Sequence, residues 1–346
     1  MNWPRLSLMH KAHRGVNLSM SAIDVSLSSG PVAVDTKFEG PLLKRAELIL
    51  LGLIAAILFG AVAISTLRGQ AVAWSEFSPV FLISLELVLI GIFVRKSRNR
   101  PRLALGTIGF GLFMCFSQCS AIFIYTLFPF ANPLMDTALL AIDAKLGFSW
   151  VATVDYIASN FPDFGIMLRY VYLSILPQVA TTIVLLAFLN REVDLHRFLT
   201  VGVLGLTLTI AFWWLLPSVG PAAFGMVSKA AQESIRLNAS EAYGAYMRQL
   251  ATVGLPLIRP EDITGVVAFP SFHMVLTSMV LWFTRRTLIF VPVVILNFTM
   301  PLATIVQGGH HLVDVFGGLV MFGVCLWLAK QLVPDPATRD SADLPR

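Results

Sequence analysis

Long apolar blocks, separated by short polar segments, dominate the hydrophobic pattern of this chain. A helix needs about 20 apolar residues to cross about 30 Å of hydrocarbon, and only helices and closed barrels satisfy their backbone polar groups there. Eight blocks come near this length, at 46–67, 78–95, 103–128, 166–189, 198–216, 270–284, 287–306 and 311–332. The pattern therefore predicts an all-α fold, a polytopic membrane helical bundle of about eight transmembrane helices.

Composition agrees with a membrane environment. Apolar residues make up 56% and charged residues 13% of the 346 residues, whereas soluble domains carry about 25% charged residues. No short apolar segment follows a basic start, so we expect no cleaved signal peptide. The chain then divides into a polar cytoplasmic N-terminal tail at 1–45, transmembrane helices at 46–128, a membrane core at 129–332 and a cytoplasmic C-terminal tail at 333–346.

Basic residues in the short loops predict the orientation. Residues 95–102 contain five basic side chains and no acid, which places this loop in the cytoplasm by the positive-inside rule. Eight crossings then put both termini inside, together with a solvated His196, and the long loops 129–165 and 217–269 outside. Short loops of this kind account for most of the net charge of +5, so we expect no nucleic-acid partner. The protein is expected in a bacterial inner membrane, with these long loops at the periplasmic face.

The first long loop has a helical apolar pattern from Leu139 to Ile157. We interpret it as an amphipathic helix lying at the outer membrane interface. Such a helix either lines a lipid-accessible site or caps the bundle without a functional role. The acids of this segment fit the water-facing charges of an outer loop; they are Asp136, Asp143, Asp155 and Asp163.

Ionisable residues are costly inside a bilayer, so those within the apolar blocks are functional candidates. His273 lies near the start of the sixth block, and His310 and His311 lie near the start of the eighth, with Asp314 one turn deeper. The topology puts all four at the outer end of the bundle, although 37 residues separate His273 from His310. The same filter also selects Glu86 and Arg169.

The spacing of these residues fits nucleophilic and acid–base chemistry. His310 and Asp314 are four residues apart and share a helix face. A carboxylate in this position can orient the imidazole and leave its other nitrogen as a nucleophile, while His273 can protonate a leaving alkoxide. Ser271 at a helix start and Gly309 beside another suit phosphate binding, because free backbone N–H groups face an anion there. The pattern predicts His273, His310 and Asp314 as catalytic residues, with Ser271 and Gly309 at the phosphate.

Two other interpretations of the histidines remain open. A His-His pair at a helix start can anchor the helix at the interface, and a His/His/Asp set can bind zinc. The glycine-rich surroundings favour an anion, so we expect no metal and no cofactor. The three cysteines, Cys115, Cys119 and Cys325, lie in apolar blocks without a His/Cys cluster and are expected to pack in the core.

At these residues the sequence resembles the type 2 phosphatidic acid phosphatase superfamily. Its PSGH motif is similar to Pro270–His273, and its HxxxD motif to His310–Asp314. The surrounding VVAFPSFHMV and GGHHLVDVFGG, and LLPSVGP at 215–221, look most like the branch of inositol phosphorylceramide synthases and their bacterial relatives. The resemblance covers roughly 130–332. It implies a phosphohistidine on His310, oriented by Asp314, with His273 protonating the departing alcohol, without metal and on the outer side of the membrane.

The chain departs from the family pattern at its cationic phosphate ligands. The KxxxxxxRP motif is missing, and Ala303-Thr304 stands where an SR pair is expected. Another cation must then neutralise the phosphate, and the long outer loop offers four. Arg248 is our first choice and Lys229 our second; the full set is Lys229, Arg236, Arg248 and Arg259.

The resemblance predicts a membrane-embedded lipid phosphatase or phosphotransferase that acts on a lipid phosphate ester through a phosphohistidine. Its partners would be a lipid phosphate or phospholipid substrate and the membrane lipids. Water or an alcohol such as inositol would accept the phosphoryl group, and the sequence leaves this choice open. One alternative is a non-catalytic lipid-binding or transport protein that kept the fold, which the missing cations would allow. A metal-dependent hydrolase is the other.

Overall fold

The computed structural model of the protein describes residues 41–97 and 100–335. Most of the predicted tails lies outside the described residues, namely 1–40 of the tail at 1–45 and 336–346 of the tail at 333–346. Within the described part, fourteen α-helices and a single pair of two-residue strands make up the regular structure, apart from two short 3₁₀ turns. The protein is therefore an all-α polytopic helical bundle, as the apolar pattern predicts.

Three long helices form the N-terminal part of the bundle. They are α1 (Arg45–Leu67), α2 (Trp74–Ser97) and α3 (Pro101–Thr126). Small residues let α2 and α3 approach closely, because a Cβ atom on Gly91 would lie 2.4 Å from the Ile108 side chain and one on Gly111 would lie 2.7 Å from the Ser84 carbonyl oxygen. Close backbone approach at glycine is a common means of helix association in membranes.

Two helices, and not one, form in the predicted interfacial segment. α4 (Asp136–Lys145) and α5 (Trp150–Asn160) meet at an angle of 64°. The chain bends at Gly147, whose φ of 72° suits glycine. The interpretation of Asp136 and Asp143 as water-facing charges is wrong, because both are buried. They are seven residues apart and so share the inner face of α4.

The remaining helices build the core of the bundle. A bent pair, α6 (Pro162–Leu173) and α7 (Ile175–Phe188), leads to the long α8 (Glu192–Leu215). Two short helices follow, α9 (Lys229–Ser234) and α10 (Glu241–Val253). The last four helices are α11 (Phe272–Thr284), the bent pair α12 (Phe290–Asn297) and α13 (Met300–Gly308), and α14 (Leu312–Leu332). The strands β1 (Ala71–Val72) and β2 (Leu257–Ile258) pair in parallel and tie the α1–α2 connection to the segment before α11.

Five of the described helices are long and apolar enough to cross a membrane, and the three bent pairs raise the number to eight. The count matches the prediction, but its members differ. The 270–284 block forms only the 13-residue α11, which is shorter than a full span, while α4 with α5 passes the same test. The length and apolar composition of these helices identify the protein as an integral membrane protein.

Buried charges also occur near the predicted cytoplasmic end. Arg95 donates two hydrogen bonds to Glu47, at 2.6 and 2.8 Å, and His196 lies 3.4 Å from the same carboxylate. The prediction of a solvated His196 is wrong, because its side chain packs with this ion pair between α1, α2 and α8 and is only 4% exposed.

Candidate active site

The first turns of α11 and α14 lie side by side. The backbone N–H of Ser271 donates a 3.0 Å hydrogen bond to the carbonyl oxygen of Asp314. A Cβ atom on Gly318 would lie 2.3 Å from the carbonyl oxygen of Ser271, so the two helices touch through their backbones. This contact brings His273 and His310 together, with ring centroids 6.4 Å apart. We call this end of the bundle the histidine end.

His310 and Asp314 form the pair that their spacing predicts. His310 Nδ1 lies 3.0 Å from Asp314 Oδ2, and both side chains are buried. An ionised carboxylate only accepts hydrogen bonds, so we assign the proton to Nδ1, which leaves Nε2 of His310 with a free lone pair. The same carboxylate oxygen accepts the backbone N–H of His311 at 2.9 Å. Asp314 therefore holds both the imidazole and the helix start.

Tyr172 of α6 fixes the second histidine. Its ring stacks on His273 with a centroid separation of 4.2 Å and an interplanar angle of 13°. A Cβ atom on Gly308 would lie 2.8 Å from the Tyr172 ring and 3.0 Å from the ring of His310. Residue 308 must be glycine because any side chain there would collide with the rings of Tyr172 and His310. Tyr172 was not among the residues that sequence reasoning selected, since an aromatic residue in an apolar block has no distinguishing signal.

The turn before His310 is tightly enclosed. Gly309 ends α13 in the left-handed conformation, with φ at 63°, and a Cβ atom there would lie 2.7 Å from the Cβ of Ala239. Gly220, with φ at 85°, approaches the same turn so closely that its Cβ would lie 2.4 Å from the Gly309 carbonyl oxygen. Gly309 thus permits the close backbone approach that its sequence context predicts.

His311 faces away from His310 into a cluster of buried acids. Its Nδ1 lies 2.8 Å from Asp143 Oδ2 and its Nε2 lies 3.4 Å from Asp136 Oδ1. Burial alone lowers the pKa of His311, but the hydrogen bonds to Asp136 and Asp143 and the charge of Asp314 outweigh it and raise the pKa above its usual value. The sequence did contain a signal for this cluster, because Asp136 and Asp143 are seven residues apart and therefore lie on one face of a helix.

The predicted phosphate-binding residues have varied surroundings. The hydroxyl of Ser271 is buried and has no hydrogen-bond partner among the described residues. Lys229 is 89% exposed and lies 4.0 Å from Glu233. Arg248 is exposed and donates to the carbonyl oxygen of Ala223. None of these partners is His273 or His310, so the structure does not bring the two loop cations into contact with the histidines.

Another cation lies on the helix that carries Tyr172. Arg169, one turn before it, donates a 2.6 Å hydrogen bond to the carbonyl oxygen of Arg236 and a second to the side chain of Asn238. The backbone N–H of Asn238 donates to the side chain of Gln307, three residues before His310. Arg169 is thereby linked to the turn that carries the proposed nucleophile.

An apolar cavity of about 420 Å³ begins at His273. It extends into the interior of the bundle, between α1, α3, α7, α8 and α11. Aliphatic and aromatic side chains form most of its wall, and its lining includes Leu50, Ile54, Leu112, Phe116, Gly202 and Leu276. Cavities of about 300–1,000 Å³ are usual for small-molecule sites. The first two of these residues come from α1, so the N-terminal helices contribute to the wall.

The His, Cys, Asp and Glu side chains of the protein bear on the zinc interpretation of the histidines. Within residues 41–97 and 100–335, no group of three or more His, Cys, Asp or Glu side chains is arranged to hold a metal ion. The three cysteines lie in α3 and α14, and all are free.

A family model described as the PAP2 superfamily matches residues 137–328. The matched region begins in α4 and ends in α14, so it contains His273, His310 and Asp314 and leaves out α1 to α3. No curated protein matches the chain significantly. No solved structure does so either. The match covers more than half of the 346 residues, and the chain therefore belongs to the PAP2 superfamily, a superfamily whose members are generally phosphatases.

Proposed function

We propose that the protein is a lipid phosphatase or phosphotransferase that works through a phosphohistidine on His310. The observation that carries this proposal is the geometry of three side chains. Asp314 orients His310 at 3.0 Å, and His273 lies across from it at a ring separation of 6.4 Å. Two imidazoles at this centroid separation can both reach one tetrahedral phosphate group, one as the nucleophile and the other as the proton donor.

The first step forms the phosphoenzyme. The lone pair on Nε2 of His310 attacks phosphorus, and the bond from phosphorus to the lipid oxygen breaks. His273 donates its proton to the leaving alkoxide, a form of acid catalysis worth about 10²–10⁴-fold. Asp314 stabilises the charge that develops on the His310 ring. Stacking on Tyr172 keeps the His273 ring aligned with the leaving group.

The second step returns His310 to its free form. His273, now neutral, takes a proton from water or from an acceptor alcohol. The oxygen attacks phosphorus, and the bond from phosphorus to Nε2 breaks. A bare phosphoryl group gives inorganic phosphate with water and a new phosphomonoester with an alcohol such as inositol. A group that already carries one ester gives a phosphodiester with the alcohol. The same residues serve both outcomes, so the acceptor decides between phosphatase and transferase.

Charge at the phosphate must come from the groups that lie near it. The start of α11 presents backbone N–H groups that have no acceptor within the helix, and such groups stabilise anions. Arg169 is a further candidate, because its hydrogen bonds connect it to the turn at 307–310. We propose these groups in place of the family cations that Ala303 and Thr304 do not supply.

The apolar cavity supports a lipid substrate. A soluble phosphate ester would gain little from an apolar cavity of about 420 Å³ next to His273. A lipid whose phosphate lies between the histidines could extend a hydrocarbon chain into this space. The site would lie at the predicted periplasmic face of a bacterial inner membrane, where the lipid phosphates of the outer leaflet are found.

A trapping experiment tests the proposal. Nitrophenyl phosphate has a leaving group that needs no proton, so His273→Ala protein should still form the phosphoenzyme from ³²P-labelled nitrophenyl phosphate but should hydrolyse it slowly. We expect acid-labile, base-stable label to accumulate on this variant and none on the double variant His273→Ala/His310→Ala. Absence of label from His273→Ala, together with no turnover by the wild type, would support a non-catalytic lipid-binding protein.

The acceptor is identified by product analysis. Purified protein is incubated with a panel of phosphatidic acids and phospholipids, with and without inositol, and the products are measured by mass. Free phosphate indicates a phosphatase, and a new phosphate ester of inositol, a monoester from a phosphatidic acid or a diester from a phospholipid, indicates a transferase.

A further inference from the structure

A second cluster of ionisable side chains lies directly behind the proposed nucleophile. It consists of Asp136, Asp143 and His311, and the imidazole of His311 is fully buried. Both ring nitrogens face carboxylate oxygens, at 2.8 Å to Asp143 and 3.4 Å to Asp136. Ionised carboxylates only accept hydrogen bonds, so this arrangement favours a ring with a proton on each nitrogen, an imidazolium. The three residues are called the acid clamp below.

The acid clamp also binds the backbone on both sides of the active-site turn. Asp143 accepts the N–H of Leu312 at 3.2 Å. Asp136 accepts the N–H of Gly220 at 2.7 Å and that of Val219 at 3.0 Å. Gly220 itself presses against the carbonyl oxygen of Gly309. One cluster therefore joins α4, the segment after α8 and the first residue of α14 around a single turn.

We propose that Asp136 and Asp143 are positioning residues that act through protonated His311 to aim the neighbouring His310 at the substrate phosphate. The inference rests on the proposed function, because it needs His310 as the nucleophile. Neither acid touches the substrate. Their role is to fix the backbone from Gly309 to Leu312, and with it the direction of Nε2.

The geometry of Asp314 explains why the turn must be held from behind. Its Oδ2 accepts from both His310 and the backbone of His311, and its Oδ1 has no partner among the described residues. The carboxylate of Asp314 is thus hydrogen-bonded only to the turn that it orients. Without the acid clamp, the turn and the carboxylate could shift together, and Nε2 would lose its alignment with phosphorus.

Stability alone is a weak reason for this cluster. Buried ion pairs are often replaceable by apolar side chains of similar volume without loss of stability. An apolar cluster would pack the turn but would not fix its orientation through hydrogen bonds to Leu312, Val219 and Gly220. The position of three ionisable groups next to His310 therefore points to geometric control of the nucleophile.

The test separates alignment from binding. Full-length wild type, Asp143→Asn, Asp136→Asn and the double variant His311→Gln/Asp143→Asn are assayed with nitrophenyl phosphate in detergent, and kcat and KM are determined for the folded fraction. A displacement of about 1 Å can cost about 100-fold in rate, so we expect kcat to fall by about 10- to 100-fold with KM changed by less than about threefold. The double variant should be no slower than the worse single variant, because the three residues act as a unit.

Asp163→Asn is the matched control, since Asp163 is an exposed acid of the same predicted outer loop, 129–165. The kcat of this variant should stay within about twofold of the wild-type value, as is usual for surface changes. Folded clamp variants with wild-type kcat would overturn the inference and leave the phosphatase proposal standing, whereas an inactive wild type would overturn both. If the clamp variants do not fold, ¹⁵N-histidine spectra of the wild type decide. The inference requires His311 to carry protons on both nitrogens, and a singly protonated His311 would refute it.

Discussion

Filling the apolar cavity should shorten the hydrocarbon chain that the protein accepts. Gly202 of α8 lines this cavity, and a Cβ atom there would meet only the flexible end of Met279, at 3.2 Å. Gly202→Phe therefore adds a ring to the cavity with little strain on the backbone. A water molecule takes up about 30 Å³ of liquid, so 420 Å³ corresponds to about fourteen groups of that size. A methylene group is similar in size, and the seven carbons of a phenylalanine side chain would occupy about half of the space.

The assay uses alkyl phosphates of increasing length, each below its micelle concentration. Burial of one methylene contributes about 0.8 kcal/mol, or roughly a fourfold gain in kcat/KM. In the wild type this gain should continue with chain length until the cavity is full. In Gly202→Phe it should stop about seven carbons earlier, while the rate with the shortest substrates stays the same.

Ala211→Phe is the matched control for this experiment. Ala211 lies on the same helix but is exposed on the outside of the bundle, so the added ring should leave the chain-length profile unchanged. Folding of both variants is checked by thermal unfolding and gel filtration. An unchanged profile in folded Gly202→Phe, or the same shortening in Ala211→Phe, would refute the assignment of the cavity to the substrate chain.

Three further predictions follow from the site. Arg169→Gln should lower kcat/KM by at least about tenfold, since a charge-assisted hydrogen bond contributes about 1.5–3 kcal/mol. Arg248→Gln should have a smaller effect. Equal losses of kcat/KM in steady-state assays of the two variants would contradict the preference for Arg169. Gly308→Ala should abolish turnover, because the methyl group would collide with Tyr172 and His310, whereas Gly323→Ala, which meets open space, should keep wild-type rates. Prolonged treatment with a strong chelator should leave hydrolysis of nitrophenyl phosphate unchanged, and lost activity that zinc restores would instead indicate a metal-dependent hydrolase.

The long-range meeting of His273 and His310 could be predicted because two simple constraints define it. Span length sets the number of crossings, and basic loops set their direction, so residues at the starts of the sixth and eighth blocks must share one end of the bundle. The bond between His310 and Asp314 follows from helical spacing alone. These parts of the site depend on local periodicity and topology, which a single sequence contains.

The groups around these residues depend on tertiary packing and were missed or placed differently. Asp136 and Asp143 have the spacing of a buried helix face, but acids in an outer segment look the same whether they face water or a buried imidazolium. Tyr172 has no polar pattern around it, and its role depends on the absence of a side chain at Gly308. The α4–α5 bend was also missed, since it follows from the conformation of the single residue Gly147.

Buried charge is a guide to function only when its surroundings are known. The ion pair of Glu47 and Arg95 is buried, like the acid clamp. The ion pair lies beside the first residues of α1 and α8, whereas the acid clamp holds the first residues of α14. Arg197 of α8 donates to Val333 at the end of α14, so the 21 residues of α14 separate the two clusters by about 30 Å. The first cluster joins three helix ends, and its hydrogen bonds stay between Glu47, Arg95 and His196, away from the turn of His310. The second one touches the turn of His310, and this contact, more than the burial of its charges, is the reason to assign it a part in catalysis.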